Sequence, residues 1–359
     1  MELANEQHEL ENYSTSIFDC CDLKIDPEPA KELWDKILQH KWVLSEKLGR
    51  DVGTKVACVD FMENFAHVHE DHHDTEKIKI LKSLGAQMIN QSIWKTISES
   101  QPPKQIVNKR IILPLTVADL ARKHAVIPPR TLMFFGPPGT GKTHFVQAIA
   151  GILQWWYVEV SPSSLMIEGE DRLGANLKRL IEKAGSLDEV VLFIDEFEEI
   201  AGSRDQASRI DKSITNEFLK LIPLLKRKKR KNLLVCATNY IQQLDAALLR
   251  PGRFDCIIPV GGLDYHGRRT IFAHYLDDTS HENVDVDSIV SVIELFTPAD
   301  IEYLFQRVRQ VAFEREYEKG GNYSVTTETF LEIIPEVSPT LTNEIIKEFE
   351  QNCVQYTRY

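Results

Sequence analysis

The sequence predicts an α/β fold: a mostly parallel five-stranded sheet, preceded by a helical N-terminal domain and followed by a small helical lid subdomain. Three observations carry this reading. Short apolar, β-branched runs alternate with helical patterns at 131–135, 156–160, 190–194, 233–237 and 256–260, and such alternation builds parallel strands covered by helices on both faces. Glycine-rich or acidic segments follow three of these runs directly, at the strand ends where open α/β sheets place ligands. Outside the central region only helical periodicity is strong. The expected organisation is a flexible terminus over 1–25, a helical domain over 26–104, an α/β domain over 105–263, and a helical lid with a last helix over 264–359.

Composition narrows the function classes. The 359 residues are 43% hydrophobic and 27% charged, an ordinary globular balance. No apolar run approaches the ~20 residues that span a bilayer, so no membrane association is expected. Residues 1–12 lack the basic-then-apolar layout of a secretory signal. The six cysteines form no CxxC pair, which fits a reducing, cytoplasmic setting. A net charge of −12 argues against a nucleic-acid partner, because phosphate-backbone affinity comes from clustered Lys and Arg. The exception, 226–231 (KRKKRK), is read as a solvated loop.

In the N-terminal part, Asp26 and Pro29 look like a helix start. Leu33, Ile37, Val43, Leu44 and Leu48 follow helical spacing, Trp34 and Leu38 widen the apolar face, and Gly49 is the stop. Two more helices are expected over 54–65 and 76–96. Between them the cluster from His67 to His73 has the residue types of a transition-metal site, but its polarity favours a solvated loop. Gln101-Pro102-Pro103-Lys104 reads as a linker. Trp155 and Trp156, beside a strand, read as core packing rather than as a stacking platform for bases.

The strongest chemical signal is Gly136-Pro137-Pro138-Gly139-Thr140-Gly141-Lys142-Thr143, set between an apolar strand and a helical pattern. Gly139 and Gly141 let the backbone curl so that successive N–H groups, helped by the positive helix end, face phosphates. Lys142 would neutralise the β- and γ-phosphates of ATP, and the Thr143 hydroxyl would ligate Mg²⁺. The run 190–194 ends in Asp195 and Glu196. Asp195 suits Mg²⁺ binding and Glu196 can polarise the attacking water, which makes the expected activity hydrolysis of ATP and not mere retention. A third strand ends in Thr238 and Asn239, and the segment Leu248-Leu249-Arg250-Pro251-Gly252-Arg253-Phe254-Asp255 follows.

The ordered set GPPGTGKT, VVLFIDE, CATN and LLRPGRFD resembles the AAA clade of AAA+ ATPases, over about two thirds of the chain. Leu113-Pro114-Leu115, Pro128-Pro129 and Thr297-Pro298-Ala299-Asp300 support it. The resemblance implies that Asn239 is the sensor that orients the attacking water. It also implies that Arg250 and Arg253 are arginine fingers completing a neighbouring subunit's site. A structural ion pair with Asp245 or Asp255 is the alternative for those arginines. Fingers supplied in trans require head-to-tail contacts, so a homo-oligomer, the family's usual hexamer, is implied, acting on an unidentified protein client.

The sequence departs from the family pattern at two places. Family members carry an aromatic-hydrophobic-glycine triplet in a loop after the second strand, whereas here Gly169-Glu170-Asp171 aligns with it and Met166 and Ile167 are the nearest apolar residues. The family's adenine-holding segment is not recognisable in 91–110, where Ile93 and Trp94 are expected to pack in the core. The leading expectation is therefore an oligomeric ATPase that remodels or disassembles a protein partner. The alternative is a nucleotide-gated binding or scaffold module, with slow hydrolysis as a timer and no threading.

Overall fold

A computed structural model describes residues 13–17, 19–20, 27–64, 71–166, 169, 172–202, 209–227 and 230–359. The chain divides into two compact units, Met1–Ile80 and Leu81–Tyr359.

In the first unit, helices Pro27–Leu48 and Thr54–Asn64 close over Ile17, Ala30, Leu33, Ile37, Cys58 and Phe61. Trp34 packs at the edge of that cluster, while Leu38 and Val43 are exposed. The first helix stops at Gly49, which takes the left-handed φ of +63° that a helix terminus favours. His40 Nε2 meets Asp60 Oδ2 at 2.7 Å and ties the two helices. The side chains of the His67–His73 cluster lie outside the described residues.

The helix expected over 76–96 is broken. Helix Asp71–Ser83 is followed by Gly85 at φ +66°, and the chain then forms a short strand, β1 (Gln87–Met88), and the short helix Ile93–Thr96. The sheet accordingly has six strands rather than five: β1, β2 (Thr131–Phe135), β3 (Trp156–Val160), β4 (Val190–Ile194), β5 (Asn232–Thr238) and β6 (Cys256–Pro259). Their spatial order is β1-β3-β4-β5-β2-β6. All pairings are parallel except β1 on β3, where Gln87 faces Tyr157 and Met88 faces Trp156.

β2, β4 and β5 are buried along their whole length, as strands covered on both faces must be. One core gathers Phe134, Phe145, Ile149, Trp155, Phe193 and Val235, with Ile93 and Trp94 partly buried at its margin; of the tryptophan pair, Trp155 is a core residue as expected, whereas Trp156 is half-buried. A separate core, centred on Phe272, Phe305 and Phe330, holds the lid helices Tyr265–Asp277, Val286–Val292, Pro298–Lys319 and Thr327–Ile333. Helix Pro298–Lys319 starts at a reciprocal cap between Thr297 and Asp300.

The Gln101–Lys104 stretch is not a linker. Pro102 and Pro103 open helix Pro102–Val107, since proline is tolerated in a first turn whose N–H groups lack intrahelical partners. Lys104 is only 2% exposed, donates to Ile97 O at 2.6 Å and pairs with Glu99 at 2.7 Å. In the basic run, residues 228 and 229 lie outside the described residues. Lys226, Arg230 and Lys231 are paired with Asp255, Asp188 and Glu189 at 2.6, 2.6 and 3.4 Å, so these three cations have local carboxylate partners. No helix among the described residues is long and apolar enough to cross a membrane.

Candidate nucleotide site

β4, β5 and β2 are neighbours in the sheet, so the segments leaving their carboxyl ends converge. The loop after β2 begins at Gly136, whose N–H donates to Thr238 O at 3.3 Å. A Cβ there would lie 2.0 Å from Val260 O, so only glycine lets the loop pass this close to β6. Thr140 Oγ1 closes the loop on Pro137 O at 2.8 Å. Gly141, at φ +88°, turns the chain into helix Lys142–Leu153.

Lys142 is 6% exposed. Its ammonium donates to Gly136 O and Pro137 O at 2.9 Å each and to Asn239 Oδ1 at 2.6 Å. Burial pushes its pKa down to about 8, against the attraction of Asp195 and Glu198. Thr143 Oγ1 donates to Asp195 Oδ2 at 2.8 Å. This hydroxyl–carboxylate pair supplies hard oxygen ligands, the set that suits Mg²⁺. Pro138 and Gly139 complete the loop; the lid residues Pro298 and Ala299 line the same cavity, and a Cβ on Gly139 would meet Thr297 Oγ1 at 2.9 Å.

Glu196 takes a left-handed backbone conformation (φ +48°) and is exposed to the cavity. Neighbouring Glu199, then partial desolvation, Asp195 and Glu198, hold its carboxyl above the usual carboxylate range. Asn239 reaches the same place from β5, with its main-chain N–H donating to Glu198 Oε1 at 3.0 Å. The structure therefore brings together all the expected residues of the phosphate end.

The cavity has a volume of about 450 Å³ and extends away from the loop to Thr96, Ile97, Ser98, Ile271, His274 and Tyr275. Thr96 Oγ1 and His144 Nε2 are 2.7 Å apart, and Gln101 Nε2 donates to Asp264 Oδ1 at 3.2 Å. None of these was anticipated. Glu198 was missed as well, although the acidic run from Glu196 to Glu199 marks the spot.

Arg250 and Arg253 do not line this cavity. They sit in the segment before β6, which is anchored by buried Leu248 and by Phe254, whose ring lies edge-on to Phe197 at 6.0 Å. Arg250 is exposed, and Arg253 donates through Nη1 to Leu219 O at 2.7 Å. Asp255 is engaged elsewhere: it accepts from Lys226 Nζ, from the N–H groups of Arg130 and Thr131, and from Thr131 Oγ1. Arg358 holds the segment from the far end of the chain, donating to Leu249 O at 3.0 Å and to Phe254 O at 2.8 Å. Just before it, the last helix, Asn343–Tyr356, lays Phe349 against Gly136 and Gly261, with Phe135 at a ring distance of 6.0 Å. The same helix presents Glu348 to Gln242 Nε2 at 2.8 Å. In the loop after β3, Met166 is half-buried beyond helix Pro162–Leu165, and Ile167, Glu168, Glu170 and Asp171 lie outside the described residues.

Comparison with known proteins agrees with this architecture. Residues 132–261 match the family described as ATPase family associated with various cellular activities (AAA). The chain is 28% identical over 258 residues to a cell division cycle protein 48 homolog of Archaeoglobus fulgidus, covering 68% of this chain and 35% of that protein. It is 31% identical over 238 residues to the proteasome-activating nucleotidase of Methanococcus vannielii, covering 65% of this chain and 56% of the relative. The chain thus spans between a third and two thirds of the length of these relatives. Among solved structures, the FIGL-1 AAA domain in complex with ADP shares the fold, with a TM-score of 0.66 at 22% identity over 76% of this chain and 94% of that one. A sheet of this order, a glycine-built loop opening on paired oxygen ligands and the family match across both agree: residues 132–261 form a domain of the AAA ATPase type.

Proposed function

We propose that the chain is an Mg²⁺-dependent ATP hydrolase working as a head-to-tail homo-oligomer, in the hexameric arrangement usual for the clade, that remodels a protein partner. The observation that carries this reading is a division of labour: Lys142, Thr143, Asp195, Glu196 and Asn239 face one cavity, while Arg250 and Arg253 stand outside it. In this mechanism the loop N–H groups from Gly136 to Thr143 receive the phosphates, and Lys142 exchanges its carbonyl partners for phosphate oxygens. Thr143 and Asp195 would hold Mg²⁺, which when bound offsets the phosphate charge. Glu196 polarises the attacking water, which Asn239 orients. An arginine from the adjacent subunit stabilises the charge that spreads in the transition state.

The test is mixing. Glu196→Gln and Arg253→Ala should each abolish turnover, the second by about 10³–10⁵-fold. Subunits of the two variants mixed together should recover activity, because some sites then combine an intact Glu196 with a neighbour's intact Arg253. Turnover that survives dilution to monomer, or a mixture as inert as its parts, would overturn the trans-acting arrangement.

The sequence Gly169-Glu170-Asp171, without an aromatic residue, favours a second reading: a nucleotide-gated binding module that releases its partner without threading it. Release of an intact, still-folded partner on hydrolysis supports that reading, and unfolding of a tagged partner rejects it.

A further inference from the structure

Glu198 lies two residues beyond Glu196, in the 3-10 turn Phe197–Glu199 that leaves β4. One carboxylate oxygen, Oε1, accepts the main-chain N–H of Asn239 at 3.0 Å. The other, Oε2, is buried and has no hydrogen-bond partner among the described residues. A carboxylate oxygen shut away from water without a donor is disfavoured, and folded chains keep such groups sparingly. The same carboxylate acts electrostatically on both Lys142 and Glu196, which locates it behind the phosphate end of the cavity. Glu198 itself does not line that cavity.

The side chain of Asn239 has a different partner, the Lys142 ammonium at 2.6 Å. Lys142 is saturated by that oxygen and two loop carbonyls, so engaging a triphosphate requires it to leave them. The Asn239 amide group then loses its donor and is free to turn, while its backbone remains tied to the turn that carries Glu196.

We propose that Glu198 is a positioning residue: its carboxylate fixes the main chain of Asn239 to the end of β4, so that the Asn239 side chain can exchange the Lys142 ammonium for the attacking water without a shift of its backbone. The role rests on the ATP-hydrolysing reading given above. It differs from the roles of Glu196 and Asn239 in that Glu198 touches neither nucleotide nor water.

Three substitutions separate the possibilities. Glu198→Ala removes the acceptor, Glu198→Asp shortens its reach by one carbon, and Glu198→Gln keeps an acceptor oxygen at the original reach. Each variant of the full chain is compared with wild type in three measurements: amide hydrogen exchange at Asn239 without nucleotide, affinity for a fluorescent ATP analogue, and steady-state ATP turnover.

The Ala and Asp variants should exchange faster at Asn239 and lose about 10- to 100-fold in kcat, with nucleotide affinity within about threefold of wild type. The Gln variant should recover most of both the exchange protection and kcat. Wild-type exchange and kcat in Glu198→Ala would overturn the role, as would a Gln variant no better than Ala, or affinity falling in step with kcat. Absence of ATP turnover in the wild-type chain would remove the hydrolase reading and this role with it. Normal wild-type turnover alongside a wild-type-like Ala variant removes this role alone.

Discussion

Lys142→Met tests what the buried ammonium costs the ligand-free chain. A pKa lowered from 10.5 to about 8 by burial corresponds to about 3 kcal/mol against the charged, folded form. Its three hydrogen bonds, to Gly136 O, Pro137 O and Asn239 Oδ1, return about 1 kcal/mol each in net terms. The two contributions nearly cancel, so near pH 7 the methionine variant should match wild type to about 1 kcal/mol, a shift of a few degrees in Tm at most. The pH dependence has a definite sign. Below about pH 8 the lysine is charged in both folded and unfolded chains, and the penalty is present in full. Between about 8 and 10.5 the folded chain sheds the proton before the unfolded one does, so wild-type stability rises relative to the variant, by about 3 kcal/mol across the window. Ligand binding goes the other way: ATP with Mg²⁺ at about 100 times its Kd stabilises wild type by about 2.7 kcal/mol, and the variant should show none of this. Chemical unfolding of both proteins from pH 7 to 10, with and without nucleotide, measures every term. A pH-independent difference between them, or a methionine variant still stabilised by ATP, would refute the reasoning.

Further outcomes follow from single contacts. Gly136→Ala places a methyl group 2.0 Å from Val260 O and should cost about 1–3 kcal/mol or more through displacement of β6, read as a lowered Tm. Asp255→Ala strands the N–H groups of Arg130 and Thr131 and unpairs Lys226; thermal unfolding should show a loss of about 2–3 kcal/mol. Arg358→Ala frees Leu249 O and Phe254 O, and should lower ATP turnover about tenfold while leaving nucleotide affinity, measured by fluorescence titration, unchanged.

The five longer strands were legible because each is a short, mostly apolar or β-branched run, and β2, β4 and β5 are hidden on both faces along their whole length. β1 was not, because two exposed residues, Gln87 and Met88, leave no periodicity; they owe their strand geometry to pairing with β3. The break at Gly85 was masked by the continuing apolar pattern on either side, although its left-handed conformation decides the matter. Two prolines after Gln101 suggested a spacer, yet proline in a first turn is compatible with a helix, and burial of Lys104 against Ile97 O and Glu99 fixes the segment beside the cavity. At the phosphate end the site residues were legible because the motif is contiguous, with Gly136–Thr143 lying in one loop and the start of one helix. At the opposite end, Thr96, His144 and Tyr275 come from three distant elements, and only the tertiary fold reveals that they meet.

The last helix deserves a mechanical reading. Its ring at Phe349 rests on the floor of the phosphate loop, its acid at Glu348 grips the turn just past Asn239, and the arginine beyond its end clasps the segment that carries Arg250 and Arg253. One rod and the residues just past it therefore touch both the phosphate loop and the segment that carries Arg250 and Arg253. In the head-to-tail assembly proposed above, that rod would be the internal linkage through which the state of a subunit's own pocket bears on what it offers its neighbour.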